Sequence, residues 1–404
     1  MSKKVIWIIN QTAGKPDSGW GERHFNFSKY WISKGYKVKI ISGSYNHLFI
    51  NQPKISNKTF TLEEIEENIT FCWVKIPPYD GGSIFKLWSM IVFAFKVLFL
   101  KSSLLEKPSN IIVSSMPIFP ILSGIYLKKK FNSKKLLFEI RDLWPLTPMY
   151  LSGYSKFHPM IILMSWIEKK GYKKSDNIVS LLPNASSYIN KISGDASKFN
   201  WISNGIDEKL LLKESLPDSI IKQIPNNKFI IGYTGTMGMA NALEYLIEAS
   251  ILMVQNKEVH FVLVGNGYLK KSLMQKTAGN LNITFIDKIN KGQVQSILKH
   301  FNVCFVGRND TPLFDYGVSS NKYFDYMLAS KPVLESSNFI KSPVELSNCG
   351  ITVLPESGKA IVEGILELQK MSTKKLEGIG ENGLIYVRKY HNFGYLSDKY
   401  LKLF

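Results

Sequence analysis

Lys322 and Asp325 lie three residues apart in the run Tyr316-Gly317-Val318-Ser319-Ser320-Asn321-Lys322-Tyr323-Phe324-Asp325-Tyr326-Met327, which leads on to Lys331-Pro332-Val333. A turn of small polar residues enters a short helix here, and on a helix that spacing puts two residues on one face. The face then carries a cation able to meet a phosphate beside an acid able to grip a sugar diol. Such a pairing suits a nucleotide-sugar. The same spacing also makes an exposed helical ion pair, worth only a few tenths of a kcal/mol.

Other candidate groups sit where strand-like runs end. Glu139-Ile140-Arg141-Asp142-Leu143-Trp144-Pro145 closes one such run. Arg141 can face a cleft and contact a transferred sugar or a phosphate, or it can pair with Asp142 and cap the next segment. Arg308 follows the strand-like residues 303–306, and a guanidinium binds a diphosphate bidentately where the Lys322 ammonium acts as a point charge. Two glycine turns, Gly19-Trp20-Gly21-Glu22-Arg23 and Gly235-Thr236-Met237-Gly238, each follow a strand-like run and precede a helical one. Amides and helix N-termini gather at that edge and favour phosphate. Neither turn matches the dinucleotide or P-loop fingerprint. The six histidines are scattered and no Asp-x-Asp occurs. No metal site is expected, so phosphate charge falls to cations and amides.

These groups need a large α/β scaffold to position them. At 404 residues, 45% hydrophobic and 21% charged, the chain is globular and long enough for two domains. Cys72, Cys304 and Cys349 are far apart and odd in number, which fits a reducing cytosol. The strand-like run Val5-Ile6-Trp7-Ile8-Ile9 starts almost at once, so no signal peptide is expected. Of the net charge of +19, residues 1–204 carry +15 and residues 205–404 carry +4. The first half therefore meets a polyanion, either nucleic acid or an anionic membrane. Its lysines cluster at 128–130 and 134–135, and again at 169–170 and 173–174.

Residues 84–100 are nearly all large and apolar, yet too short for a transmembrane helix and interrupted by Lys86 and Lys96. On a helix Lys86, Ser89, Lys96 and Lys101 fall within an arc of roughly 140°. A wide apolar face opposite that arc is the pattern of a helix lying in a bilayer interface; a core helix is the alternative.

Strand-like and helical runs alternate throughout, which predicts parallel sheets. Strands are expected at 5–10, 37–42, 70–76, 111–114, 136–140, 177–180 and 199–202. A second series is expected at 229–233, 260–264, 283–286 and 303–306. The polar passage from Ser203-Asn204-Gly205-Ile206-Asp207 to Pro225-Asn226-Asn227 separates the two series. Two Rossmann-like domains facing an interdomain cleft are expected, 1–204 and 205–404, with the last helix free to pack back on the first.

With these motifs in place, in order and at these spacings, the chain resembles the glycosyltransferases of family 4, of GT-B fold. It resembles in particular the branch that builds O-antigen and capsule repeat units. The similarity covers nearly the whole length and rests on residues 19–23, 139–145, 203–207, 232–238, 264–267 and above all 316–333. It implies a UDP-sugar donor held by the C-terminal domain through Gly235, Thr236, Gly238, Gly265, Asn321 and Asp325, with Gly19 and Gly21 facing it from the first domain. Arg141, Asp142, Arg308 and Lys322 are the implied catalytic groups. Retention of anomeric configuration without a metal or other cofactor is also implied. Asp325 stands at the family's second acidic position, which binds ribose hydroxyls. Gly317 stands at the first, so that carboxylate is missing. Residues 236–241 lack the usual arginine and lysine, and Arg141-Asp142 replaces a common His-Asp pair. Arg308 and Lys322 are the natural substitutes for the missing cations.

The basic first half and the apolar run 84–100 then point to a polyprenyl-diphosphate-linked acceptor. They also point to an anionic surface at the inner face of the cytoplasmic membrane, with the protein cytoplasmic and peripheral. A UDP-sugar epimerase of the same fold would leave both features unused. A nucleic-acid-binding protein would need a reading module that the sequence lacks, so nucleic acid is not an expected partner.

Overall fold

The computed structural model describes residues 4–80, 84–206, 208 and 214–404. Asp207, the end of the polar motif 203–207, lies outside them. The chain divides into two compact units, Met1–Asn204 with Phe393–Phe404, and Gly205–Asn392.

The first unit opens with β1 (Lys4–Ile9), α1 (Arg23–Ser33) and β2 (Tyr36–Gly43), then β3 (Phe60–Glu66), β4 (Ile69–Val74) and α2 (Ile84–Val97). It continues through β5 (Asn110–Ser114), α3 (Pro120–Phe131), β6 (Lys135–Ile140), α4 (Leu146–Ser152) and α5 (Pro159–Lys174). It ends with β7 (Asn177–Ser180), α6 (Ser186–Ser193) and β8 (Phe199–Trp201). The sheet order is β3-β4-β2-β1-β5-β6-β7-β8. Helices cover the inner strands, so runs such as Val-Ile-Trp-Ile-Ile in β1 are apolar at every position. Only β3 is antiparallel, pairing with β4 at the edge. Apolar patterning does not disclose it, because Glu63, Glu64 and Glu66 interrupt it; charge on an edge strand also deters pairing with another chain.

The second unit contains α7 (Asp218–Ile221), β9 (Phe229–Thr234), α8 (Leu243–Leu252), β10 (Val259–Val264), α9 (Lys270–Lys276) and β11 (Ile283–Ile286). There follow α10 (Val294–Leu298), β12 (Val303–Gly307), α11 (Asn321–Leu328), β13 (Val333–Ser336) and α12 (Pro343–Ser347). β14 (Gly350–Val353), α13 (Gly358–Gln369) and α14 (Thr373–Tyr390) complete it. Its sheet, β11-β10-β9-β12-β13-β14, is parallel throughout. Alternate residues feed opposite cores: Ile230, Val262 and Cys304 one, Ile231, Leu263 and Phe305 the other. Both sheets have the Rossmann-like pattern expected from the sequence.

The last helix, α15 (Phe393–Leu401), belongs to the first unit. Tyr400 sets its ring edge-on to Phe27 and Trp31 of α1, at 5.0 and 5.5 Å between centroids. The spacing of Phe27 and Trp31, four apart, puts both on the buried stripe of α1.

In α2 the polar arc faces the protein. Ser89, at the centre of the polar arc, is fully buried and donates to the Pro77 carbonyl at 3.2 Å. Lys96 reaches inward to the Lys75 carbonyl at 2.6 Å. Met90, Phe93, Ala94 and Val97 are in the core, while Phe85, Trp88, Ile91 and Phe95 are exposed. Backbone carbonyls supply acceptors on the protein side, so the polar arc turns in and part of the apolar face turns out. Among the described residues no helix is long and apolar enough to cross a membrane.

Replacing Trp31 with alanine removes the ring that packs against both Phe27 and Tyr400. The first unit is expected to lose about 3–5 kcal/mol. Urea unfolding followed by a probe in that unit checks it, and a loss below about 1 kcal/mol contradicts the packing described.

Candidate functional site

In the second unit the loops leaving β9 and β10 lie backbone to backbone. The Gly235 amide donates to Val264 O at 2.9 Å and the Met237 amide to Asn266 O at 2.9 Å. A Cβ on Gly265 would stand 1.9 Å from the Gly235 carbonyl oxygen, so glycine is imposed by that approach. Thr236 is exposed at the tip, and its carbonyl accepts from the Tyr233 hydroxyl at 2.7 Å and from Asn241 Nδ2 at 2.8 Å. The Gly238 amide, expected to be open to a phosphate, donates to that same carbonyl at 3.2 Å.

Behind this loop two cations meet one oxygen. Lys322 Nζ donates to Asn241 Oδ1 at 2.5 Å and lies 5.3 Å from the centroid of the Tyr233 ring. Arg308, buried at the end of β12, donates through Nη1 to Ala240 O at 2.8 Å and, at a long 3.5 Å, to Asn241 Oδ1. Among the described residues Arg308 Nε has no partner. Burial holds the Lys322 ammonium well below the usual lysine range; the Arg308 charge lowers it further, and Asp325 opposes both. Asp325 acts on Lys322 and buried Glu335 on Arg308, but neither carboxylate hydrogen-bonds to either cation among the described residues. An anion placed there would find two donors already aimed.

Asn321 is exposed in the first turn of α11, and Asp325 is half-buried one turn beyond. Burial pushes the Asp325 carboxyl up to about 6, against the pull of Lys291 and Lys322. Among the described residues its carboxylate takes no hydrogen bond. Two tyrosines of α11 are fixed: Tyr326 Oη accepts from the Thr234 amide at 2.9 Å, and the Tyr323 hydroxyl donates to buried Glu335. Lys322 and Asp325 are both half-buried, and Lys322 reaches to Asn241. Gly317 sits at φ +88°, ψ −178°, a conformation open essentially only to glycine. An acid at that position would strain this turn.

In the first unit the glycine turn after β1 folds back on itself. Gly21, at φ +81°, accepts from the Gly14 amide at 3.1 Å, and a Cβ there would lie 2.3 Å from Thr12 O. Gly19, at φ +67°, ends the short turn Pro16–Ser18. α1 then begins at Arg23, whose guanidinium donates to Glu139 Oε2 from Nε at 3.1 Å and Nη2 at 2.9 Å. Glu139, fully buried at the end of β6, also accepts from His24 Nε2 at 2.9 Å, Ser114 Oγ at 2.7 Å and the Tyr400 hydroxyl. Burial alone would raise this carboxyl, but Arg23 and His24 outweigh it and hold it well below the usual carboxylate range. For His24 burial wins over Glu139 and lowers its pKa. The ring is neutral at neutral pH, Nε2 donates, and Nδ1 has no partner among the described residues.

Arg141 follows directly, half-buried, its amide donating to Ser115 Oγ at 3.0 Å. Burial lowers its pKa, Glu139 and Asp142 work to raise it and Arg23 to lower it. Arg141 Nε has no partner among the described residues. The structure thus places Arg141 and Asp142 at one sheet edge, and Arg308, Lys322, Asp325, Gly235 and Thr236 at another. Asn241, His24 and Arg23 were not singled out by the sequence as site groups. A carboxylate inside the apolar run Leu-Leu-Phe-Glu-Ile signals that cations must come to it, though not which; Asn241 carries no such signal. Among the described residues no three His, Cys, Asp or Glu side chains gather to hold a metal ion.

Residues 228–371 match the family described as Glycosyl transferases group 1. No curated protein sequence matches the chain. Among solved structures it is similar to sucrose-phosphate synthase from Thermosynechococcus elongatus, with TM-score 0.76 and 16% identity over 99% of this chain and 98% of that one. Anabaena Alr3699/HepE in complex with UDP and glucose gives TM-score 0.67 and 12% identity over 99% and 98%. WaaG, a glycosyltransferase involved in lipopolysaccharide biosynthesis, gives TM-score 0.67 and 12% identity over 98% and 99%.

Glu139→Gln leaves the Arg23 guanidinium buried without a counter-charge, and the first unit is expected to lose about 3–5 kcal/mol. The native carboxyl titrates below its unfolded value, so its contribution is complete above the ordinary glutamate pKa and is lost as pH falls through the native one. Unfolding measured from pH 7 downward should therefore show wild type and variant converging in acid. A constant difference at all pH values contradicts the assignment.

Proposed function

We propose that this glycosyltransferase, of GT-B fold, moves a sugar from a UDP-sugar to a polyprenyl-diphosphate-linked oligosaccharide with retention of configuration and without a metal. The proposed setting is O-antigen or capsule synthesis at the inner face of the cytoplasmic membrane, in the family 4 branch that the motifs resemble. The observation that carries the reading is the convergence of Lys322 and Arg308 on Asn241 Oδ1, with Asp325 one helical turn away. In this reading a diphosphate takes the place that the Asn241 oxygen partly fills. As the glycosidic bond to UDP breaks, charge grows on the β-phosphate, and donors already aimed there lower the barrier. Asp325 accepts from the ribose hydroxyls, while Gly235 and Thr236 present backbone beside the nucleotide. Arg141 and Asp142 contact the transferred sugar or the acceptor.

Support for UDP comes from the Anabaena structure, whose complex holds UDP and glucose on a similar fold. Support for a lipid-linked acceptor comes from the basic first half and from the exposed Phe85, Trp88, Ile91 and Phe95 of α2. An assay of purified protein with membranes carrying polyprenyl-diphosphate acceptors and a panel of UDP-sugars tests the reading. One extended lipid-linked product supports it, whereas epimerised UDP-sugar with no transfer overturns it.

Asp325→Asn should cost about 1–3 kcal/mol of UDP affinity, since a charged acceptor becomes a neutral one. Hydroxyl donors favour the ionised carboxylate, whose pKa is about 6 in the free protein. The advantage of wild type over variant should therefore be full above about pH 7 and shrink as pH falls through 6. Calorimetric titration of both proteins with UDP across this range measures it, and equal affinities at pH 8 remove Asp325 from the site.

A further inference from the structure

A second exposed apolar surface lies on the first unit. Residues 151–159, from the last turn of α4 to the first residue of α5, are all exposed and include Leu151, Tyr154 and Phe157. The outer face of α5 continues the surface through Ile162, Leu163 and Trp166, each 42–56% exposed. Lysines frame it. Lys156 Nζ lies 5.1 Å from the centroid of the Phe157 ring and Lys170 Nζ 4.6 Å from that of Trp166, while Lys169 and Lys173 are exposed along the last turns of α5.

Among the described residues no acid forms an ion pair with these lysines. Between Asp142 and Asp176 the one carboxylate in the sequence is Glu168, which is buried and accepts from the Tyr188 hydroxyl at 2.9 Å. Asp176 is itself paired with Lys128 at 2.6 Å. Burial moreover pushes Glu168 up to about 8, so it contributes no outward negative field at neutral pH. Large aromatic and aliphatic groups at one end of a helix and lysines at the other, with no acid, match a bilayer boundary. A second copy of the chain, meeting this surface in a two-fold contact, would offer its lysines no exposed carboxylate from residues 143–175. α5 also packs against α3, which in turn packs against α2. The two apolar surfaces thus belong to helices that both pack against α3.

We propose that the outer face of α5 and the loop before it form a second lipid-docking surface, taking anionic phospholipid headgroups on its lysines and seating its aromatic side chains at the acyl boundary. This rests on the membrane-facing part of the proposed function and extends it from one helix to two. Two separated contacts fix the tilt of the first unit on a membrane, which one helix leaves free to roll. The donor residues on the second unit take no part in it.

The experiment is flotation of the full chain with vesicles of phosphatidylcholine and phosphatidylglycerol, and of phosphatidylcholine alone. A Phe157→Ser/Trp166→Ser variant is compared with a Trp88→Ser/Phe95→Ser variant of α2. Removing two side chains from the acyl boundary should weaken partitioning more than about tenfold. The melting temperature should stay unchanged, because both are more than half exposed. Lys169→Gln/Lys170→Gln should reduce the preference for phosphatidylglycerol. Wild-type partitioning of the Phe157/Trp166 variant, with release of the α2 variant, overturns this proposal and leaves the membrane reading standing. Failure of the wild-type chain to float overturns both. A wild-type dimer abolished by the Phe157/Trp166 variant, with vesicle affinity unchanged, assigns the surface to self-association and also overturns it.

Discussion

The buried carboxylate of Glu139 is the constraint on which the first unit is organised. Taking a carboxylate out of water costs several kcal/mol, and leaving it unpaired costs far more than replacing it. Five donor groups on four residues, 23, 24, 114 and 400, offset that cost here. They fix where α1 starts, how the ends of β5 and β6 align, and where the chain's last helix docks. Arg23 also ties this point to the Ile202 and Ser203 carbonyls at 3.0 and 2.6 Å, so the exit from β8 answers to the same charge.

The second unit has the opposite polarity at its sheet edge. Around Glu139 negative charge is fully met, and the cluster holds the fold together. Around Asn241 two cations share one neutral oxygen, and in the proposed reading an anion joins them. Burial raises the electrostatic stakes in both places, with different results: the first resists change and the second, in the proposed reading, takes a ligand. The contrast explains why glycines dominate the second edge. Gly235 and Gly265 bring two loops into backbone contact, leaving the cations as the prominent side chains there.

Much of this architecture was legible in the sequence because parallel strands buried on both faces read as unbroken apolar runs. Lys322 and Asp325 were legible for a similar reason, since helical spacing alone assigns them a common face. β3 was not, because glutamates break its pattern. The inward turn of Ser89 and Lys96 was not, because their partners are backbone carbonyls of residues 77 and 75, which sequence patterning cannot count. Asn241 was invisible for the same cause: its role comes from two cations that reach it from residues 308 and 322.

The position of α15 bears on how the protein is made. On the ribosome the first 204 residues emerge with every strand of their sheet present, yet with Phe27 and Trp31 uncovered and Glu139 lacking its phenolic donor. The second unit, Gly205–Asn392, must be translated before Tyr400 exists to complete the first. The unit that begins first is therefore finished last. A nascent chain carries its exposed aromatic seam through roughly half of its synthesis, a window in which chaperones, or a membrane surface already at hand, have the most to protect.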